Sequence, residues 1–195
     1  MKAFIRWFFR VFFCKIFYRV NYINKENEEN LDKCMICPNH SNTLEPTWIY
    51  AKTPNLSIMA KAELFKVKIW GKILTYFGVF PIRRGEKDIK SLLHAIHVLK
   101  NNDKQRLLIF PEGERQSVNE KRGTAKVGPA YIAYKAGVPI VPVYITKNAK
   151  LFSKVNIIYG KPMYITKEIA ENKEEIQKFS DKLLDTIYGL KDTVK

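Results

Sequence analysis

The amino-acid sequence predicts a single α/β domain with a mixed, mostly parallel sheet flanked by helices. Short apolar runs alternate with segments of helical periodicity along most of the chain, which is the pattern of this fold class. The runs are apolar throughout, so the sheet is expected to be largely buried. With 195 residues, 46% of them hydrophobic, the chain is long enough for one core and short for two.

Residues 1–22 are predicted to form an amphipathic, aromatic helix at a membrane interface, ahead of a domain over residues 23–195. The segment contains no acid, and its bases leave no charge-free run longer than four residues, whereas a transmembrane helix needs about 20 mainly apolar residues. Basic side chains can reach lipid phosphates while aromatic rings lie at the acyl boundary. The alternative is a helix packed on its own domain. The bases are Lys2, Arg6, Arg10, Lys15 and Arg19.

The first half of the domain alternates short strands with helices. Its strands are short and apolar, and its helical segments have one apolar side. The predicted elements are a polar connector (24–30), a strand (34–38), a helix (46–52), a strand (56–60), one or two amphipathic helical pieces around Gly71 (62–77) and an extended segment (78–82).

The second half continues the same alternation. Apolar residues recur at helical spacing from Ile89 to Leu99 behind Asp88, a suitable N-cap, and Gly137 is a suitable C-cap for the next helix. The predicted elements are a helix (88–99), a strand (106–110), a loop (111–123), a helix (127–136), a strand (138–144), a strand (154–159) and a final amphipathic helix (173–190).

The net charge of +15 is concentrated in the middle of the chain. Residues 50–165 carry a net charge of +14, against +2 for residues 1–49 and −1 for residues 166–195. Such a segment suits an anionic partner, which can be a phosphorylated small molecule, an acidic protein, an anionic membrane or a nucleic acid. Nucleic acid is not expected, because the signature residues of known binding modules are missing from the sequence.

Three cysteines, Cys14, Cys34 and Cys37, suggest no disulfide framework, which favours a reducing compartment and the cytoplasmic side. Cys34, Cys37 and His40 have zinc-like spacing. Residues three apart in a strand point to opposite faces, however, so the two thiols cannot chelate one ion together. No metal site is expected, and no P-loop or dinucleotide fingerprint indicates a bound nucleotide.

A candidate catalytic pair follows the strand at 34–38. His40 is followed five positions later by Glu45, at the start of a predicted helix. A carboxylate that accepts a hydrogen bond from one ring nitrogen fixes the tautomer, and it stabilises the imidazolium formed when the other nitrogen takes a proton. The pair is therefore a candidate general base with its orienting acid. Ser41 is a poor candidate nucleophile because no G-x-S-x-G elbow surrounds it.

A second block, Phe-Pro-Glu-Gly-Glu-Arg at 110–115, lies in a loop after an apolar strand, where open α/β sheets place their ligand sites. Gly113 allows a tight turn, and Arg115 offers a planar fork of donors suited to a phosphate. Glu112 can hold a hydroxyl group or the arginine itself.

Two further blocks complete the pattern. Residues 78–85 end an apolar run with the paired arginines Arg83 and Arg84 between isoleucine and glycine. Residues 138–143 read Val-Pro-Ile-Val-Pro-Val, an apolar strand whose two prolines indicate an edge strand or a bent one.

These four blocks, in this order, resemble the glycerolipid acyltransferases typified by the bacterial 1-acyl-sn-glycerol-3-phosphate acyltransferases. The resemblance spans about residues 33 to 145, and the runs 59–64 and 125–128 are also similar to the pattern of the family. In the order of the family's motifs, the His-x4-acid block looks like 40–45, the glycine-and-arginine block like 78–84, the F-P-E-G-x-R block like 110–115 and the V-P-I-x-P-V block like 138–143.

The resemblance implies an enzyme of phospholipid biosynthesis. A fatty acyl group would pass from a thioester donor, acyl-CoA or acyl carrier protein, to the free hydroxyl of a lysophospholipid. The expected acceptor is 1-acyl-sn-glycerol-3-phosphate, which would become phosphatidic acid. Direct attack needs no covalent enzyme intermediate and no cofactor. Together with the N-terminal helix, this implies a peripheral membrane protein on the cytoplasmic face of the cell membrane, with 23–195 as the acyltransferase domain.

The resemblance also implies roles for individual residues. His40 would be the general base and Glu45 would orient it. Lys61, Arg84 and Arg115 would hold the acceptor phosphate, and Glu112 and Gly113 would help to shape the glycerol site.

The sequence departs from the family at two of these positions. The family usually has Asp where Glu45 stands, so the backbone or rotamer must absorb one extra methylene. It usually has Thr or a small polar residue where Glu114 stands, and an acid there repels a phosphate unless it points away. Two alternatives follow: an acyltransferase for another lysolipid acceptor, such as a zwitterionic one, and a non-catalytic lipid-binding relative.

Overall fold

Seven strands form one sheet in the computed structural model, which describes residues 2–83, 88–116, 122–147 and 149–193. Their order across the sheet is β1-β7-β6-β2-β5-β3-β4, and among these strands the β6–β7 pair alone is antiparallel. The predicted mixed, mostly parallel sheet is therefore confirmed. The strands are β1 (Arg19–Ile23), β2 (Cys34–Pro38), β3 (Leu56–Lys61), β4 (Val79–Ile82), β5 (Arg106–Leu108), β6 (Ile140–Ile145) and β7 (Lys154–Tyr159).

Helices cover both faces of the sheet. The four predicted helices at 46–52, 88–99, 127–136 and 173–190 are confirmed to within two residues at each end, whereas α2 and α7 were not predicted. The helices are α1 (Lys2–Phe8), which continues as a π-helix (Phe9–Phe17), α2 (Glu26–Glu29), α3 (Glu45–Lys52), α4 (Lys68–Tyr76), α5 (Ile89–Asn101), α6 (Gly128–Ala136), α7 (Lys167–Glu171) and α8 (Lys173–Gly189). Two 3-10 turns, Ala62–Phe65 and Leu190–Thr193, follow β3 and α8.

The sheet separates two hydrophobic layers. On one face the buried side of α3, with Trp48 and Ile49, packs between the strands and the N-terminal helix. On the other face α5, α6 and α8 cover the sheet. Cys34 lies in the first layer and Cys37 in the second, so the prediction that these thiols point to opposite faces is confirmed.

The N-terminal helix is shorter than predicted. It ends at Phe17, and residues 19–22, which were assigned to it, lie instead in β1, which pairs with β7 from Arg19↔Lys154 to Ile23↔Ile158. Alternating β-branched and aromatic residues favour this extended pairing over helix. The helix packs on α3 through its inner side, where Cys14 is buried, and leaves its aromatic outer side exposed. In the described part of the chain, no helix is long and apolar enough to cross a membrane.

Strand β6 lies in the interior of the sheet, between β7 and β2, so the edge-strand alternative for residues 138–143 is wrong. Its prolines fit because each falls where the missing N–H is not needed. The carbonyl of Pro142 accepts from Gly160, just past the last residue of β7 that pairs with β6, and Pro139 precedes β6. An interior strand can therefore hold Pro139 just before it begins and Pro142 just outside its pairing with β7, while Pro142 lies opposite Cys37 in the ladder with β2.

Candidate active site

The candidate residues lie along one edge of the sheet, because parallel strands bring their carboxyl ends together. His40 follows β2, Lys61 ends β3, and the 110–115 loop follows β5. β2 and β5 are neighbours, so the two loops lie side by side. The backbone N–H of Gln116 donates to the carbonyl of His40 at 2.8 Å, which joins them directly.

His40 and Glu45 form the predicted pair. Nδ1 of His40 lies 2.7 Å from Oε2 of Glu45. Because the carboxylate accepts this hydrogen bond, the proton is assigned to Nδ1, and Nε2 keeps a lone pair for a substrate proton. Glu45 is fully buried, and the His40 side chain is 11% exposed. This is the geometry of a base and its orienting acid.

The carboxylate of Glu45 is held by its own loop. Oε1 accepts from the backbone N–H of Ser41 at 3.0 Å, from that of Asn42 at 2.9 Å and from the Ser41 hydroxyl at 2.8 Å. Glu45 is the first residue of α3, where the helix dipole favours a negative charge. The side chain therefore folds back over the preceding turn, and this absorbs the extra methylene of glutamate. Ser41 serves here as a donor to Glu45.

The histidine is also fixed from outside its own loop. Its ring stacks on Phe110, with ring centroids 3.7 Å apart. The preceding residue, Asn39, is fully buried and bridges to β6: its Nδ2 donates to the carbonyl of Ile145 at 3.0 Å, and its Oδ1 accepts from the Ile145 N–H at 2.7 Å. Both the ring plane and the backbone of His40 are thus constrained by contacts within the protein.

Glu112 has a buried setting rather than an open one. Its Oε1 accepts from the Tyr188 hydroxyl on α8 at 2.9 Å, and Oε2 accepts from the Gly123 N–H at 3.4 Å. Burial raises the pKa of Glu112 above its ordinary value, and the two hydrogen bonds oppose that rise. Gly113 adopts a φ of 76°, a conformation that favours glycine, so the chain turns sharply after the buried carboxylate.

Arg115 reaches back to the histidine loop. Its Nη1 donates to Oγ1 of Thr43 at 2.8 Å, and the side chain is exposed. A phosphate binding there would meet a guanidinium already anchored beside the His40–Glu45 pair. Glu114, the neighbouring acid, is exposed as well.

The other predicted phosphate ligands are placed less closely. Lys61 ends β3, two strands away from β2, and its half-exposed ammonium lies 3.8 Å from Oε1 of Glu63. Lys61 therefore shares the edge of the sheet without a described contact to His40 or Glu45. Arg84 falls outside the described residues.

Several residues that shape the site were not singled out from the sequence. Asn39 and Thr43 lie within the histidine block, and their polar side chains next to a buried strand end were the available signal. Tyr188 is 76 residues from Glu112, and no local pattern connects them.

A family model described as acyltransferase matches residues 19–146. The 1-acyl-sn-glycerol-3-phosphate acyltransferase of Streptococcus pneumoniae is 31% identical over 176 residues, which cover 86% of this chain and 61% of that protein. The protein of the same name from Helicobacter pylori is 33% identical over 144 residues, or 72% of this chain and 60% of that protein. The chain thus spans less than two thirds of the length of either relative.

A solved structure supports the same fold. The crystal structure of the 1-acyl-sn-glycerophosphate (LPA) acyltransferase PlsC from Thermotoga maritima aligns with 98% of this chain and 79% of that chain, with a TM-score of 0.73 and 24% identity. The match confirms the α/β architecture. The family model covers more than half of the chain and includes both the His40–Glu45 block and the 110–115 block, so the chain belongs to the acyltransferase family.

Proposed function

We propose that the protein transfers a fatty acyl group from a thioester donor to the free hydroxyl of a lysophospholipid. The observation that carries this proposal is the His40–Glu45 pair, a tautomer-fixed base at the carboxyl edge of the sheet. The relatives from S. pneumoniae and H. pylori are named for 1-acyl-sn-glycerol-3-phosphate, which makes this lipid the first acceptor to test. Its product is phosphatidic acid.

The reaction follows from the geometry of the pair. Nε2 of His40 takes the proton of the acceptor hydroxyl while that oxygen attacks the thioester carbonyl carbon. The C–S bond then breaks, and the imidazolium returns the proton to the leaving thiolate. Glu45 stabilises the imidazolium between these two steps, since its carboxylate is already bonded to Nδ1. The thioester is an activated donor, so the protein supplies mainly orientation and one proton transfer.

The acceptor phosphate is assigned to the cationic side of the same edge. Arg115 is the first ligand, because its guanidinium is anchored on Thr43 beside the base. Lys61 and Arg84 complete the predicted set, and Glu112 and Gly113 shape the loop that carries Arg115. Glu114 is exposed, which leaves its carboxylate free to point away from a bound phosphate.

The protein is further proposed to act as a peripheral enzyme on the cytoplasmic face of the cell membrane. The outer side of the N-terminal helix exposes Phe4, Trp7, Phe8, Phe12, Ile16 and Phe17 among basic residues, which suits an anionic lipid surface. The donor is acyl-CoA or acyl carrier protein, and the basic middle of the chain favours an acidic carrier. No cofactor is needed.

Acyl transfer is tested with the purified chain, a radiolabelled acyl thioester and a panel of lysolipids. We expect labelled product with a phosphomonoester lysolipid and less with zwitterionic ones. Product from zwitterionic acceptors alone would contradict the phosphate assignment. Lysolipid binding without any labelled product would instead support the non-catalytic alternative, which the intact 2.7 Å contact between His40 and Glu45 argues against.

A further inference from the structure

Helix α4 carries an apolar surface that no part of residues 2–83, 88–116, 122–147 and 149–193 buries. None of its nine residues, all of them described, is buried. Ile69, Ile73 and Tyr76 recur at helical spacing on its outer side, and Ile69 and Trp70 are 72% and 61% exposed. Scattered exposed apolar residues are ordinary, but a contiguous group marks an interaction surface. We call the following residues the α4 surface: Leu64, Val67, Ile69, Trp70, Ile73 and Tyr76.

The inner side of α4 already serves the core. Leu74 and Phe77 pack against the first hydrophobic layer. Gly71 lies so close to the preceding turn that a Cβ would stand 3.2 Å from the backbone oxygen of Phe65. The outer residues are therefore not needed to complete the core, and they need another apolar environment.

The α4 surface adjoins the exposed side of the N-terminal helix. The ammonium of Lys2 lies over the ring of Tyr76, 5.2 Å from its centroid, so the start of α1 and the end of α4 are neighbours. Phe4 and Trp7 are exposed on the same stretch of α1. Two segments that are far apart in the sequence thus contribute to one apolar face, on the side of the sheet that α3 occupies.

The charge around α4 indicates which partner fits. Residues 61–76 contain four lysines and one glutamate, and Lys68 and Lys72 lie along one side of the outer apolar stripe. A second copy of this chain would bring like charges together on this face. An anionic bilayer instead accepts the apolar side chains below the headgroups while the lysines reach the phosphates.

We propose that the α4 surface inserts into the same anionic bilayer as the N-terminal helix, a step that rests on the proposed membrane association. Two points of contact fix the orientation of the domain, whereas one helix alone leaves it free to roll about that helix. The segment from Lys61 to Ala62–Phe65 joins α4 to the carboxyl edge of the sheet. Insertion of α4 therefore holds this edge, with His40, close to the lipid that carries the acceptor.

The three tryptophans allow a direct test. Trp7 and Trp70 are exposed on the two surfaces, whereas Trp48 is fully buried and serves as an internal reference. The Trp7→Phe, Trp70→Phe and double variants are mixed with an excess of phosphatidylglycerol-containing vesicles whose acyl chains carry bromine, and binding is checked by co-sedimentation. We expect strong quenching in Trp7→Phe, reported by Trp70, and little quenching in the double variant, where Trp48 remains.

The outcomes separate this inference from the membrane association on which it rests. Quenching in Trp70→Phe without quenching in Trp7→Phe overturns insertion of α4 and leaves the N-terminal helix as the anchor. Absence of quenching in both overturns both proposals. A blue shift of Trp70 that grows with protein concentration in the absence of vesicles assigns the α4 surface to self-association instead.

A matched pair of charge substitutions measures the energetic weight of the contact. Ile69→Asp on α4 should weaken vesicle binding about tenfold or more, because it removes a buried apolar side chain and adds a charge to the interface. Ile89→Asp is the control, since Ile89 is 63% exposed on α5, which covers the opposite face of the sheet. Equal binding of the two variants would contradict insertion of α4.

Discussion

The two sides of the candidate site are built differently. In the histidine loop, Glu45 is buried and accepts hydrogen bonds from Ser41, Asn42 and His40 before any substrate arrives. On the cationic side, Lys61 and Arg115 are exposed: Arg115 donates to Thr43 at 2.8 Å, and Lys61 lies 3.8 Å from Glu63. Proton transfer requires its geometry in advance. A phosphate can instead order exposed cationic side chains when it binds, at some cost in side-chain entropy.

The largest expected effect comes from removing the base. His40→Ala should lower kcat by about 10²–10⁴-fold, the usual contribution of general-base catalysis, with little change in the unfolding midpoint. Radiolabelled acyl transfer and thermal unfolding are measured on the same preparation. A folded His40→Ala variant with near wild-type turnover would show that the preorganised histidine loop does not supply the general base.

Removal of the orienting acid should have the next largest effect. Glu45→Ala should lower kcat about 10–100-fold, because one charge-assisted hydrogen bond to the imidazolium contributes about 1.5–3 kcal/mol. It should also destabilise the fold, since donors of Ser41 and Asn42 lose their acceptor. Glu45→Asp should be milder on both counts. If Glu45→Ala is fully active, His40 does not depend on a partner.

Substitutions of Arg115 test whether the cationic side of the site binds the acceptor phosphate. Arg115→Ala should lower kcat/KM for a phosphomonoester acceptor about tenfold or more and leave the KM of the acyl donor nearly unchanged. Arg115→Lys should rescue it in part, because an ammonium cannot reproduce the planar fork. Glu114→Thr is the neighbouring control, and we expect little change because Glu114 is exposed. An unchanged acceptor preference in Arg115→Ala would remove the phosphate assignment.

The smallest expected effect concerns Glu112, which lies on the Arg115 loop but is as buried as Glu45. Because burial raises its pKa in the folded state, its contribution to stability is complete below the ordinary pKa and is lost as the pH rises through the folded one. Tyr188→Phe removes a donor that favours the ionised form and so enlarges this loss. We expect a destabilisation of about 1 kcal/mol at pH 8 and less at pH 4, measured by urea unfolding. If Tyr188→Phe lowers the free energy of unfolding equally at pH 4 and pH 8, ionisation of Glu112 does not cause the pH dependence.

The sequence was sufficient for features that depend on local pattern. Apolar runs predicted five of the seven strands, and the segment 78–82, predicted as extended, contains β4. The loops after β2 and β5 do lie side by side, because these neighbouring parallel strands end at one edge of the sheet. His40 and Glu45 were paired because only four residues separate them and Glu45 stands at the start of a helix, and the structure confirms their contact.

Features that depend on distant residues could not be predicted. Residues 19–22 were assigned to the N-terminal helix because they continue its aromatic and basic run, and the local pattern does not show that β7 lies beside them. Pro142 suggested an edge strand because the sequence does not show that the pairing of β6 with β7 begins only after this proline. Tyr188 reaches Glu112 through the packing of α8 on the sheet, which periodicity alone does not position.

The pairing of β1 with β7 limits how early the N-terminal edge of the sheet can form. β1 is synthesised early, but Asn21 faces Asn156, 135 residues further along. At about 5–20 residues per second, this separation of 135 residues delays β7 by about 7–27 seconds relative to β1. Until then the aromatic segment ahead of β1 is not tied to the edge of any sheet. We therefore expect the N-terminal edge of the sheet to form late in folding, and this segment to be prone to aggregation in the interval.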